Sequence, residues 1–300
     1  MESLKEKTAK GLFWGGMNNG VQQLLGLAFG IILGRLLDPS DYGMTAMLAV
    51  FSVIANELQS SGFKTGLINL KAPTHKDYNA VFWFNIMAGA ALYVVLFLCA
   101  PLIANYYHQP KLIPLSRYVF LGFVFSSFGI AQSAYMTKQM QIKQIAQCGM
   151  TATLTSSIVS VILAALGFSY WALATQYLMY IAMNTLLLWY FSSWRPTFSP
   201  LASHLPPLKK LFPFSFKIML SAIFTQVNSN IMNLLLGRYY GETNTGHYNQ
   251  AYQWSSKGSL LVQNMLKQVD QTVLVGLHDE RERQLAVLRK MMRFTAFMAF

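Results

Sequence analysis

The chain has 300 residues, 54% of them hydrophobic and only 11% charged, with a formal net charge of +12 and a mean hydropathy of +0.35. A soluble domain carries roughly a quarter charged residues, so this composition excludes an ordinary soluble protein. The basic residues lie almost entirely between apolar blocks, which argues against nucleic-acid binding and for orientation in a membrane.

In chain order, the apolar blocks predict eight full spans, at 12–36, 42–61, 80–106, 114–136, 147–167, 169–192, 211–237 and 248–275. Each is near the ~20 residues needed to cross ~30 Å of hydrocarbon. A basic start (Lys5, Lys7, Lys10) precedes the first block, which is too long for a signal-peptide core and has no small-x-small cleavage site after it. A retained first helix is expected. The connection near Gly167-Phe168 is little more than a turn. The longest one, about 193–210, holds Pro196, Pro200, Pro206-Pro207 and Lys209-Lys210, the mixture expected between two bundles. A ninth block starts near Arg289 and reaches Phe300, too short to cross. The expected fold is all-α: a polytopic membrane helix bundle of the two-lobed repeat transporter kind. Residues 1–196 form a first six-helix lobe, 197–210 a cytoplasmic inter-lobe linker, and 211–300 a second lobe. With only two complete spans, that second lobe is expected to be incomplete, as if truncated.

Charge fixes the orientation. With the N-terminus inside, the inner segments hold 18 of the 23 Lys and Arg, and the outer segments hold Arg35, Lys111, Arg117 and Arg238. A bias of that size supports a cytoplasmic N-terminus. Cys99 and Cys148 fall in or at the edge of apolar blocks and make neither a disulfide framework nor a metal site. The five histidines are isolated and read as solvated loop or end residues. No metal and no cofactor is expected.

An internal repeat organises the chain. Leu33-Gly34-Arg35-Leu36-Leu37-Asp38-Pro39-Ser40-Asp41-Tyr42-Gly43 returns, 203 residues later, as Leu236-Gly237-Arg238-Tyr239-Tyr240-Gly241-Glu242-Thr243-Asn244-Thr245-Gly246. Each copy ends a long apolar run. Two similar bundles imply a substrate site between them.

With the Lys-rich start and Gly11-Leu12-Phe13-Trp14, the first copy resembles the opening of bacterial polysaccharide flippases, of the multidrug, oligosaccharidyl-lipid and polysaccharide exporter superfamily. The second copy, with Gly246-His247-Tyr248-Asn249-Gln250-Ala251-Tyr252, resembles the start of that family's second lobe. The resemblance runs along the whole chain but covers about the first two-thirds of the family's fold. It implies a multi-pass protein of the bacterial inner membrane that moves a polyprenyl-diphosphate-linked oligosaccharide between leaflets.

Ionisable groups inside spans are the first candidates for a site, because each is expensive near the bilayer centre. Glu57 lies in the second span and Lys257 in the eighth. Under the 203 offset, position 54 matches 257, so the two occupy comparable depths of equivalent helices. Lys257 is a candidate partner for a diphosphate, and Glu57 for a cation, a proton or Lys257 itself; alternatively Glu57 snorkels to the inner surface. Arg35 and Arg238 are repeat-equivalent and end the first helix of each lobe. Their planar guanidinium groups suit a phosphate at the outer mouth; the alternative is pairing with Asp38 or Asp41 and with Glu242 to hold the turn. Amides cluster in the same two helices: Asn18, Asn19, Gln22 and Gln23, then Gln226, Asn228, Asn230 and Asn233. Asn19 and Gln23, and Gln226 and Asn230, share helical faces by their spacing of four. A polar stripe in a membrane helix faces either a wet cavity or other helices. Gly26, Gly30 and Gly34 form a small-residue ridge expected to pack against a helix.

The chain has no Gly-rich phosphate loop followed by Lys-Ser/Thr, nucleophile elbow or zinc-binding helix. The expectation is a flippase working by alternating access, not an enzyme. Its partners are a lipid-linked oligosaccharide, membrane lipids and other polysaccharide assembly proteins, with no nucleic acid. Three rivals stay open: a cation-coupled drug antiporter of the same superfamily, a membrane enzyme of polysaccharide assembly, and a non-functional fragment.

Overall fold

The structure, a computed structural model, describes residues 4–60, 62–198 and 205–276. Side chains are described over 20–59, 62–198 and 206–256, apart from 207, 210 and 214. Among these residues the secondary structure is helical throughout: α1 Leu4–Leu36, α2 Pro39–Ser60, α3 Phe63–Asn69, α4 His75–Tyr106, α5 Leu112–Ser127, α6 Ile130–Lys138, α7 Ile142–Ala165, α8 Tyr170–Phe191 and α9 Leu205–Gly276. The chain divides into two compact units, Met1–His247 and Tyr248–Phe300.

The ends of the helices follow from local chemistry. Pro39 opens α2, where its missing N–H is no loss. Asp41, in the first turn, reaches back to accept from the Asp38 N–H at 3.1 Å. Thr74 and Asp77 form a reciprocal capping box on α4. The lysine Nζ of Lys138 donates to the carbonyls of Ile68 and Leu70, capping the end of α3. A residue read as a loop charge thus serves as a structural cap. α3 itself occupies a segment expected to be loop.

The expected fourth span, 114–136, is two helices. α5 and α6 meet at a 43° bend across Phe128-Gly129. The cause is a Ser-Ser-x-Gly stretch: the Ser126 and Ser127 hydroxyls bond back to Phe123 and Val124, and such pairs favour kinks. The Trp189 indole N–H of α8 donates to the Phe128 carbonyl at 2.8 Å, at the break.

The helices of the larger unit pack through small residues. Ala100, Ala131, Ala134, Ala152 and Ala172 are fully buried, which lets backbones approach closely as in helices surrounded by lipid. One cluster joins Met47 of α2, Ala104 of α4, Leu115 and Phe120 of α5, and Ala174 of α8. A second joins Phe63 and Leu67 of α3 to Tyr78 and Phe82 of α4, Ala131 and Ala134 of α6, and Trp194. On the outside of α4, Val94, Val95, Leu98 and Leu102 are 54% to 69% exposed, an apolar face suited to acyl chains rather than water. α4 and α7 are each long and apolar enough to cross a membrane, and the bent α5–α6 pair makes a third if it counts as one span. The described part of α1, Gly20–Leu36, is a shorter apolar stretch.

On α1, a β-carbon built at Gly26 or Gly34 of the expected glycine ridge would meet no heavy atom of the described residues within 4 Å. The close glycine contacts lie elsewhere.

Candidate functional site

α9 is not one straight rod. At Gly241 the backbone takes φ 77° and ψ −177°, a conformation suited to glycine. Gly241 is the repeat equivalent of Asp38, at the turn between α1 and α2. The two copies of the motif therefore place the same corner at the same position.

The segment 205–247 runs antiparallel to α2 and α3. In order, Glu242 meets Gly43, Gly237 meets Met47, Gln226 meets Glu57, Ser215 meets Gly62, and Leu211 meets Gly66. The numbers fall on one helix as they rise on the other. At the Gly43 end the contact is reciprocal. A β-carbon at Gly43 would run into the Glu242 carbonyl, and one at Gly246 would run into the Pro39 carbonyl. Gly43 and Gly246 are repeat equivalents, and so are Pro39 and Glu242. Each half thus presents the same glycine to the same backbone position of the other, the pattern an approximate two-fold rotation makes. In the sequence both glycines are only matched letters of the motif, and their shared spacing is the signal.

Between the ends of this seam, Glu57 is half-buried, and Gln226 Nε2 donates to its Oε1 across a long 3.5 Å. The structure thus brings together two of the residues expected from sequence, one from each motif-bearing half. Asn230 bonds back to the Gln226 carbonyl at 3.0 Å, so part of the amide stripe is satisfied within its own helix. Gln22 and Gln23 are half-buried on α1. Asn18 and Lys257 lie on α1 and α9, and their side chains fall outside the described residues.

The two arginines differ. Arg35 is exposed in the last turn of α1. Arg238 donates to the Tyr106 carbonyl at 2.7 Å and to the His108 ring, and lies over the Tyr106 ring at 5.3 Å. It holds the end of α4 rather than pairing with Glu242. The Asp41 carboxylate is likewise taken up, by the Asp38 N–H and the Ser169 hydroxyl at the α7–α8 turn.

Sequence reasoning missed Gln59. It is fully buried, donates to the Phe123 carbonyl at 2.6 Å and accepts from the Ser126 hydroxyl at 2.9 Å, fixing α2 to α5. An amide two residues from Glu57 was its only sequence signal. Among the described residues no group of three or more His, Cys, Asp or Glu converges as a metal site would. Lys64 of α3 is half-buried, and burial pushes its amine below the ordinary lysine range.

Comparison with known proteins gives relatives of one kind. The chain is 27% identical over 290 residues to the lipopolysaccharide biosynthesis protein WzxC of Escherichia coli, covering 94% of this chain and 57% of that one. It is 22% identical over 269 residues to the succinoglycan biosynthesis transport protein ExoT of Rhizobium meliloti, covering 89% and 54%. It therefore spans little more than half the length of these relatives. A crystal structure of MATE in complex with MaL6 aligns with 95% of this chain and 74% of its own, at 17% identity and a TM-score of 0.49. The family model described as polysaccharide biosynthesis protein matches residues 32–300, and the chain is a membrane protein that belongs to this family.

Proposed function

We propose that the protein moves a polyprenyl-diphosphate-linked oligosaccharide across the bacterial inner membrane, for assembly of a surface polysaccharide, by alternating access between two related lobes. The observation that carries this reading is the reciprocal seam: repeat-equivalent glycines of each half meet the backbone of the other, with a carboxylate and an amide facing each other between. Two halves related by rotation can rock about such a line, exposing the space between them to one side and then the other. The relatives support the cargo class, since their names speak of lipopolysaccharide and succinoglycan biosynthesis and, for one, of transport.

In this reading all eight segments cross the membrane with the N-terminus in the cytoplasm. The half-buried Glu57 and Gln226, with Gln22 and Gln23, line the space for the sugars. The polyprenyl tail stays in lipid. Arg238, occupied by the end of α4, positions the seam, while the exposed Arg35 is available to an anion. The protein catalyses no covalent step; an ion gradient or removal of product drives net movement.

The test is reconstitution of the full-length protein in liposomes whose inner leaflet carries a lipid-linked oligosaccharide. A glycosidase outside the vesicles reports arrival. Protein-dependent cleavage supports the proposal. Cleavage no faster than in empty vesicles, with ion gradients of either sign, refutes it.

A further inference from the structure

Arg117 lies on α5 five residues after Leu112, roughly 8 Å along the helix from the polar turn 107–111. With Leu121 and Val124 it falls on the face opposite the buried Leu115, Val119 and Phe123. α2 packs against that buried face, so Arg117 stands on the side of α5 away from α2 and the seam.

Its guanidinium carbon lies over the Phe97 ring of α4, 4.1 Å from the centroid. The Nε is buried with no hydrogen-bond partner. The two terminal nitrogens are not buried, and among the described residues they make no hydrogen bond or ion pair. The sequence explains why no carboxylate answers them. Between Asp77 and Lys138 there is no Asp or Glu, and Asp77, in the first turn of α4, is about 30 Å along that helix from Phe97. A guanidinium left without a counter-charge beside hydrocarbon is costly.

The surroundings are apolar. Met87, Ala90 and Val94 are exposed on α4 and share a face with Phe97 at spacings of three and four. α5 runs antiparallel to α4, with Arg117 at Phe97 and Phe123 at Gly89, which sets Leu121 and Val124 beside this strip. An apolar strip thus leads away from the turn, headed by one cation with open donors.

We propose that this strip holds a membrane phospholipid with an anionic headgroup, of which phosphatidylglycerol is the model. Its phosphodiester accepts from the terminal nitrogens of Arg117, whose planar fork suits two phosphate oxygens. An acyl chain lies along Phe97, Val94, Ala90 and Met87. Lys111, exposed at the turn, is the other Lys or Arg between Asp77 and Lys138. A zwitterionic headgroup would bring an ammonium to a place with no acid for it, and phosphatidylglycerol brings none. The lipid is a companion of the fold, not its cargo.

Native mass spectrometry of the full-length protein, in detergent with equal dioleoyl phosphatidylglycerol and dioleoyl phosphatidylethanolamine, reads the retained lipid. Preferential retention of phosphatidylglycerol is expected. Arg117→Ala lowers that preference about fivefold, the weight of one basic residue at an anionic lipid surface. Arg117→Gln keeps much of the stem and lowers it equally, and it decides if thermal melting shows that Arg117→Ala does not fold. Lys76→Ala removes the same charge from the far end of α4 and leaves the preference unchanged. Inorganic phosphate does not displace the lipid, and farnesyl diphosphate displaces it no better than phosphatidylglycerol itself. No preference in the parent, no loss in the folded Arg117 variants, an equal loss in Lys76→Ala, or displacement by inorganic phosphate overturns the proposal. Preferential displacement by farnesyl diphosphate overturns it too, because the strip would then belong to a diphosphate-linked cargo.

Discussion

Gly43→Ala and Gly246→Ala put a methyl group where each half already touches the other's backbone. The added carbon at Gly43 would collide with the Glu242 carbonyl and stand 2.9 Å from its Cα, whereas ordinary contact begins at 3.4 Å. At Gly246 it would collide with the Pro39 carbonyl and stand 3.0 Å from the Gly43 nitrogen. The obstructing atoms are backbone, so no rotamer change relieves them and the helices must separate. Overpacking of this kind costs typically about 1–3 kcal/mol per site. The two sites share one seam, so separation forced by the first substitution makes room for the second. The double variant should lose clearly less than the sum of the singles. Gly34→Ala is the control: it adds a methyl group facing nothing within 4 Å, and is neutral or stabilising by up to ~1 kcal/mol through helix propensity. Its repeat equivalent Gly237, packed on the Tyr107 ring and Met47, is destabilised by the same change. Thermal unfolding of purified full-length protein, followed by tryptophan fluorescence, reads all five variants. Unchanged melting of the Gly43 and Gly246 variants, or strict additivity in the double, would refute the reciprocal contact.

Gln59→Ala removes two buried bonds and opens a space beside Gly89, so a loss of about 1–3 kcal/mol is expected in the same melting assay, and a variant as stable as the parent contradicts the role. Trp189→Phe leaves the Phe128 carbonyl unbonded at the bend, for a loss of about 1 kcal/mol, while Trp189→Phe with no loss means the bend needs no such support. Lys64 gives a pH dependence. Its folded-state pKa lies below 10.5, so between the two values the unfolded chain binds more protons and stability rises as pH rises toward 10.5. Lys64→Met should flatten that slope; an unaltered slope means Lys64 is not its source.

Much of the helical order was legible because apolar blocks of membrane length, ended by Pro, Gly and capping acids, leave few alternatives. The corner at Gly241 was implied by the repeat, since Asp38 sits at the first one. Other features were not legible. α3 is short, and its helix depends on the tertiary contact of Gly62 with Ser215 and on the Lys138 cap. The bend after Ser127 needs Trp189 from a helix distant in sequence. Glu242 was one alternative partner for Arg238, but the Tyr106 carbonyl and the His108 ring take up its guanidinium. Hydropathy patterns record which residues avoid water, not which distant backbone group needs a donor. The Glu57–Gln226 meeting was half visible: both were singled out, but Glu57 was matched by depth to Lys257, and only the antiparallel run of α2 and 205–247 supplies the amide.

The most direct test of the two-halved account links the helices at that meeting point. In full-length protein otherwise free of cysteine, Glu57→Cys and Gln226→Cys are joined by a short bifunctional thiol reagent with a reducible bridge, in native membranes. The account predicts efficient linking that arrests polysaccharide export and is reversed by reduction, with lipid-linked oligosaccharide slowing the reaction. Efficient linking with export undisturbed would mean that the halves never part along this line.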